Sequence, residues 1–225
     1  MHLPNTHRLW ISIAILSSSF IVRASAGTIT YNFDTGTPAL SAGNSAPITQ
    51  TVNGLTATFN GAYSIQDNST YNSPYVIPTF SGLYLNPNGV DRSILEIDFS
   101  APITSLSFSF AGPAYGAFDN VGQTISIMAY QNLVVNGGQV ASSSTTAPSA
   151  TWSDTFQTGT ANLDGAGATF NIVQIETSGS GPSAFLADNF VVNTQTTTPE
   201  PASLGLFIAG LAGLGFARRL RHNLR

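Results

Sequence analysis

Carboxylates are almost the only charged chemistry available to the body of this chain. Between residues 27 and 198 stand ten of them, Asp34, Asp67, Asp91, Glu96, Asp98, Asp119, Asp154, Asp164, Glu176 and Asp188, against one arginine, Arg92. All three histidines, His2, His7 and His222, lie near the ends, and the chain has neither cysteine nor lysine. These absences close the Ser-His-Asp triad, the Cys-His pair, the lysine Schiff base and the ordinary zinc and copper sites. Two aspartates are placed unusually. In Phe185-Leu186-Ala187-Asp188-Asn189-Phe190-Val191-Val192, Asp188 falls in phase with Leu186, Phe190 and Val192, and Tyr31-Asn32-Phe33-Asp34 places Asp34 similarly. A carboxylate on an apolar face is costly unless paired or coordinated. If the terminal strands are neighbours, Asp34 and Asp188 could share an oxygen-ligand site, for which structural Ca²⁺ is the natural ion outside the cell. The alternatives are hydrogen bonds from a neighbouring loop to Asp188, or a bulge that turns it outward.

Two further patterns bear on sugars. Glu96 and Asp98 share one face of a single strand and could in principle act as a glycosidase acid and base. A like-charged pair of this kind on a strand is more usually solvated surface, so hydrolysis is the least favoured reading and no catalytic residue is assigned. Tyr63, Tyr71, Tyr75, Tyr84, Tyr115 and Trp152 sit in or near Asn/Gly/Ser-rich stretches, where flat rings suit sugar stacking, although a β core also needs aromatic fill. Asn68-Ser69-Thr70 matches a glycosylation sequon. One arginine against ten carboxylates gives the body a formal charge of −9, whereas the whole chain carries −4. That balance excludes nucleic acid as a partner.

The elements that must position these residues read as strands. Ile103 to Phe110 alternates Leu106, Phe108 and Phe110 with Ser105, Ser107 and Ser109, and Leu95, Ile97 and Phe99 alternate before it, with Ala101-Pro102 as a turn between. Further strands are expected over Thr28–Asp34, Thr51–Asn60, Gly82–Asn86, Thr124–Tyr130, Leu133–Val140, Thr151–Gln157, Thr169–Thr177 and Ala184–Asn193. The phase slips between Ile172 and Val173, as a bulge would require. Loops are expected at Thr35–Gln50, Asp67–Pro74 and Ser142–Ser149. No fixed-period repeat is present. The expectation is an all-β, antiparallel β-sandwich of jelly-roll-like form.

The two ends carry different information. Arg8, an apolar run from Leu9 to Val22 and Ala24-Ser25-Ala26 form a secretory signal peptide over residues 1–26, with Ala24 and Ala26 marking cleavage before Gly27; an uncleaved anchor is the alternative. At the other end Pro199-Glu200-Pro201 is held extended by its prolines. An uncharged stretch of sixteen residues, Ala202 to Ala217, follows and would span about 24 Å as a helix. That is short of a hydrocarbon core of about 30 Å, a gap that snorkelling and local thinning can cover. Arg218, Arg219 and Arg221 then form a stop signal that stays cytoplasmic. A permanent tail anchor and a buried helix with a basic cap are the alternatives to a sorting function.

Taken together, Pro-Glu-Pro, the apolar segment and the arginines resemble the PEP-CTERM sorting signal of Gram-negative bacteria. The resemblance covers about Thr198 to Arg225. It implies an exosortase-type processing enzyme as partner, at least transient tethering to the inner membrane, and release to the cell surface or exterior. It also implies a non-enzymatic surface or matrix protein beside exopolysaccharide. Ala187-Asp188-Asn189-Phe190-Val191-Val192 is similar to a phrase in many such proteins and in some jelly-roll carbohydrate-binding modules, which keeps a carbohydrate-binding module as the alternative function. The expected organisation is a signal peptide (1–26), a β domain (27–193), a polar tether (194–198) and a sorting signal (199–225), with its membrane segment at about 202–217 and its basic tail at 218–225.

Overall fold

Alternation of apolar and polar residues becomes strand after strand. The computed structural model describes residues 27–70, 76–87, 94–112, 124–132, 138–146, 158–178 and 185–195. Eleven strands form in chain order: β1 (Thr28–Tyr31), β2 (Ile48–Val52), β3 (Leu55–Asn60), β4 (Tyr63–Asp67), β5 (Leu83–Pro87), β6 (Leu95–Ala111), β7 (Thr124–Tyr130), β8 (Gln139–Thr146), β9 (Thr158–Asp164), β10 (Phe170–Ser178) and β11 (Leu186–Thr194). A single 3-10 turn, Asn68–Thr70, is the one helical element among the described residues. Among those residues no helix is long and apolar enough to cross a membrane. The signal peptide, Ala24 and Ala26 included, and the apolar segment 202–217 lie outside the described residues.

Among the described residues all pairings are antiparallel, and β6 organises them. Its first half pairs with β3 on one side (Phe59↔Ile97) and β10 on the other (Val173↔Ile97). Its second half pairs with β11 (Leu106↔Val192) and β9 (Leu106↔Leu163). One 11-stranded sheet therefore changes neighbours midway along its longest strand. The change falls at Ser100-Ala101-Pro102, all exposed, and Pro102 has no amide N–H to offer a neighbour. The expected turn here is thus a corner within one strand.

The two portions pack face to face, as in a β-sandwich. Phe59 on β3 meets Phe190 on β11 at 5.2 Å between ring centroids, and Tyr31 on β1 meets Phe99 at 6.2 Å. Phe33 joins Phe59 edge-on at 5.2 Å. These rings, with Phe108, Phe110, Phe170 and Phe185, fill the larger core cluster, drawn from both portions, while Ile77, Phe80, Tyr84, Ala111 and Leu186 form a smaller one. Edge-to-face aromatic pairs add about 0.5–1.5 kcal/mol each beyond area burial. At one open side the Ser143 hydroxyl of β8 donates to the Asn162 carbonyl of β9.

Several expected boundaries move. The run Thr51–Asn60 is two strands joined at Asn53-Gly54. Tyr63–Asp67 and Thr158–Asp164 are strands not anticipated, and Ser142–Thr146, expected as loop, belongs to β8. The segments 133–137 and 151–157 lie outside the described residues. The bulge expected between Ile172 and Val173 is not there: both pair in continuous register with β6 and β7, and the shift between Phe170 and Ile172 has its extra residues on β6, at the Ser100-Ala101-Pro102 corner. Thr194, expected to open the tether, is the last residue of β11: it pairs with Ile103, and its amide donates to the Gly27 carbonyl at 3.1 Å.

A candidate carboxylate site

The seam where β1 ends and β5 begins, along one edge of β11, gathers the two singled-out aspartates. β1 pairs with β11 at residues 190–193 and β5 pairs at Ala187, so Asp188 and Asn189 fall between two partners. The β6 register also shifts between Asp188 and Val191. Asn189 takes φ 55° and Phe33, beside Asp34, takes φ 62°. Left-handed backbone at a non-glycine residue is uncommon, and for a bulky ring like Phe33 it is a genuine outlier. Both aspartates are therefore aimed by a local irregularity next to them.

Asp188 is fully buried, but its phase with Phe190 and Val192 does not hold: it pairs with Ser109, on the face opposite Ala187 and Phe110, and the bulge that follows it, at Asn189, brings Phe190 and Val192 back to the core. Its Oδ2 accepts the Ser81 amide at 3.2 Å and the Asn189 side-chain amide at 3.0 Å, and its Oδ1 accepts the Asn189 backbone amide at 2.6 Å. Asp34 differs from expectation. It is exposed, because β1 stops at Tyr31 and Phe33 turns the chain, and its Oδ1 accepts the Leu83 amide at 2.8 Å. The two carboxylates thus hold amides on either side of Gly82. A Cβ at Gly82 would lie 2.2 Å from Asp34 Oδ1, and its φ is +65°, so only glycine fits.

Burial dominates the electrostatics. It pushes the Asp188 carboxyl up to about 7; the Asn189 and Ser81 amides oppose this, and the charge of Asp34 adds to it. The loop opposite is braced by Asn68, whose side-chain amide donates to the Ile77 and Phe80 carbonyls at 3.1 and 2.9 Å and whose Oδ1 accepts the Ile77 amide at 3.0 Å. With that nitrogen buried and engaged, the sequon at Asn68 is structural rather than a glycan acceptor.

The other candidates separate. Glu96 and Asp98 lie half-buried on the outer face of β6, where Gln174 donates to Glu96 Oε2 and Asn60 to Asp98 Oδ2, each at 2.8 Å. Asp98 is raised above the usual carboxylate range by desolvation first and by Glu96 second. Tyr63 is fully buried against Phe185 at 5.7 Å, and Tyr84 packs on Phe80 at 5.4 Å, so both are core residues. Tyr71, Tyr75, Tyr115 and Trp152 lie outside the described residues, as do Pro199, Glu200, Pro201, Arg218, Arg219 and Arg221. Among the described residues, no group of three or more His, Cys, Asp or Glu side chains could hold a metal ion. Any Ca²⁺ at Asp34 and Asp188 would need backbone carbonyls or water for its other ligands.

The comparisons with known proteins fall on different parts of the chain. Residues 197–221 match the family described as the PEP-CTERM protein-sorting motif, so the C-terminus carries that signal and marks an exported substrate of exosortase. Curated proteins give no significant match. Among solved structures the chain is similar to the K2 cleaved adhesin domain of Lys-gingipain, at 12% identity over 74% of this chain and 99% of that one, with a TM-score of 0.47. It is also similar to a DUF4465 family protein from Bacteroides caccae, at 12% identity over 63% of this chain and 81% of that one (TM-score 0.39). A third similarity is to TmCBM61, solved with beta-1,4-galactotriose, at 11% identity over 73% of this chain and 99% of that one (TM-score 0.39). Likeness of this size carries no argument about function.

Proposed function

We propose that this is a non-enzymatic surface or extracellular-matrix protein, a jelly-roll-like sandwich exported through its N-terminal signal and handed by its C-terminal signal to exosortase. The observation that carries the reading is the sorting motif at residues 197–221. The charged inventory supports the non-enzymatic part: the body lacks histidine, cysteine and lysine, and its one carboxylate pair on a single strand, Glu96 and Asp98, is engaged by Asn60 and Gln174. The C-terminal segment tethers the protein to the inner membrane until processing near Pro199-Glu200-Pro201. The released domain then resides beside exopolysaccharide. Structural Ca²⁺ at the Asp34–Asp188 seam belongs to the same proposal: it would neutralise two carboxylates that accept amides on either side of Gly82.

Mass spectrometry of the protein recovered from its producing cells tests the itinerary. The expected product begins at Gly27 and has lost Arg218, Arg219 and Arg221. A product that still ends at Arg225 would overturn processing and leave a membrane-anchored protein.

A further inference from the structure

A second surface, away from the carboxylate seam, has the character of a binding groove. Neighbours across β11, β6 and β9 align in two rows on the outer face: Asn193, Ser105 and Asp164 in one, Val191, Ser107 and Asn162 in the other. The serines are short and lie on the middle strand, while longer side chains stand on both flanks. The result is a trough with a cavity volume of about 340 Å³, lined by those six residues among others. That lies at the lower end of the range of about 300–1,000 Å³ usual for ligand sites. The flanking strands are two spacings apart, about 10 Å, which admits a sugar ring between the walls.

The lining is oriented as well as polar. Asn193 is fixed at both ends of its amide: Oδ1 accepts the Thr28 hydroxyl at 2.8 Å, and Nδ2 donates to Ser105 Oγ at 2.8 Å. Ser105, having accepted, retains its own proton to donate. Asp164 is held by the Ala166 amide on Oδ1 at 2.9 Å and, as a carboxylate, retains acceptor capacity. Val191 supplies the one apolar side-chain wall among the six. Hydroxyls, amides, one carboxylate and a small apolar patch, with no cation, match a neutral polyhydroxylated ligand. The body's −9 formal charge and Asp164 itself oppose a polyanion.

The geometry points to this trough as a binding site for a segment of neutral polysaccharide, one or two sugar residues long. The inference rests on the proposed residence beside exopolysaccharide and gives that association an address. It differs from the aromatic loops that the sequence alone suggested.

Affinity electrophoresis of the full-length chain, purified in detergent, through gels containing a neutral glucan, a neutral mannan or anionic alginate tests it. Retardation by at least one neutral polymer is expected. Ser107→Tyr, which fills the trough from an outer strand face, and Asn193→Ala should each weaken that retardation at least tenfold. Ser126→Tyr, on the outer face of β7, should leave it unchanged, and melting temperatures identify any variant that fails to fold. Undiminished binding by folded Ser107→Tyr and Asn193→Ala would overturn the trough while leaving the polysaccharide association standing. Retardation by alginate alone would overturn the neutral ligand. No retardation of the wild type by any of the three would overturn both the site and the association.

Discussion

Asp188 is the residue whose chemistry is most constrained by its surroundings. Its carboxyl is raised in the folded domain to about 7, chiefly by burial, whereas in an unfolded chain it titrates near its ordinary value of 3.8. Between those two values the folded state binds more proton, so stability is fully present below about pH 4 and is lost as pH rises toward 7. Thermal melts should therefore show this contribution falling across that window, and Asp188→Asn should flatten the curve while lowering it throughout, because its amide nitrogen faces an N–H donor where the carboxylate accepts one. Added Ca²⁺ should raise the melting temperature of the wild type at pH 8 and not that of Asp188→Asn; an equal response would remove Ca²⁺ from the seam. Gly82→Ala forces a Cβ onto Asp34 and should cost about 1–3 kcal/mol in urea denaturation. Asp188 is legible in the sequence as a carboxylate among apolar residues, but its phase is not, because the bulge at Asn189 sets it on the face opposite Phe190 and Val192. Nor is the Ser81 amide legible, because it lies 107 residues away in a stretch with no strand pattern.

At the scale of elements, legibility followed alternation. β7 and the second half of β6 alternate strictly and were placed well. β4 buries Tyr63, Ser64 and Ile65 in succession and so has no period to detect. β9 alternates, but its inward residues Ala161 and Leu163 are too few among Thr158-Gly159-Thr160 to stand out. The β2–β3 hairpin is legible at Asn53-Gly54, although the apolar pattern alone runs through Thr51–Asn60 as one strand. Val52 pairs with Leu55, leaving Asn53-Gly54 as a two-residue loop with φ 50° and 82°, which is the type I′ geometry that Asn-Gly favours. Nothing lies within 4 Å of a Cβ at Gly54, so Gly54→Ala should carry only the backbone penalty, about 1–2 kcal/mol. The same substitution at Gly82 adds a steric clash to that penalty. Urea midpoints for the two variants should therefore differ, with Gly82→Ala the lower; equal midpoints would mean that the 81–83 segment moves away from Asp34 freely.

For the whole molecule, the decisive fact is that the last described strand is an inner one. β11 lies between β6 on one edge and β1 with β5 on the other, and it contributes Ala187, Phe190 and Val192 to the core. Its end is tied to the start of the described chain: the Gly27 amide donates to Thr194 Oγ1 at 3.1 Å, a contact 167 residues apart. Only Gln195 and Thr196 separate that pairing from the sorting motif. A chain synthesised from its N-terminus therefore presents nearly all its described strands before the one that joins β1 and β5 to β6 is available, and contacts this distant in sequence close slowly. Folding of the domain should complete only when residues up to Thr194 have emerged, just ahead of the apolar segment. Pulse proteolysis of two truncated chains tests this. A chain ending after Gln195 should resist digestion, whereas one ending after Phe185 should be digested as an unfolded polypeptide. Equal resistance would mean that the remaining strands form a stable core without β11. In that case the proximity of the sorting signal to the final strand would have no bearing on when the domain folds.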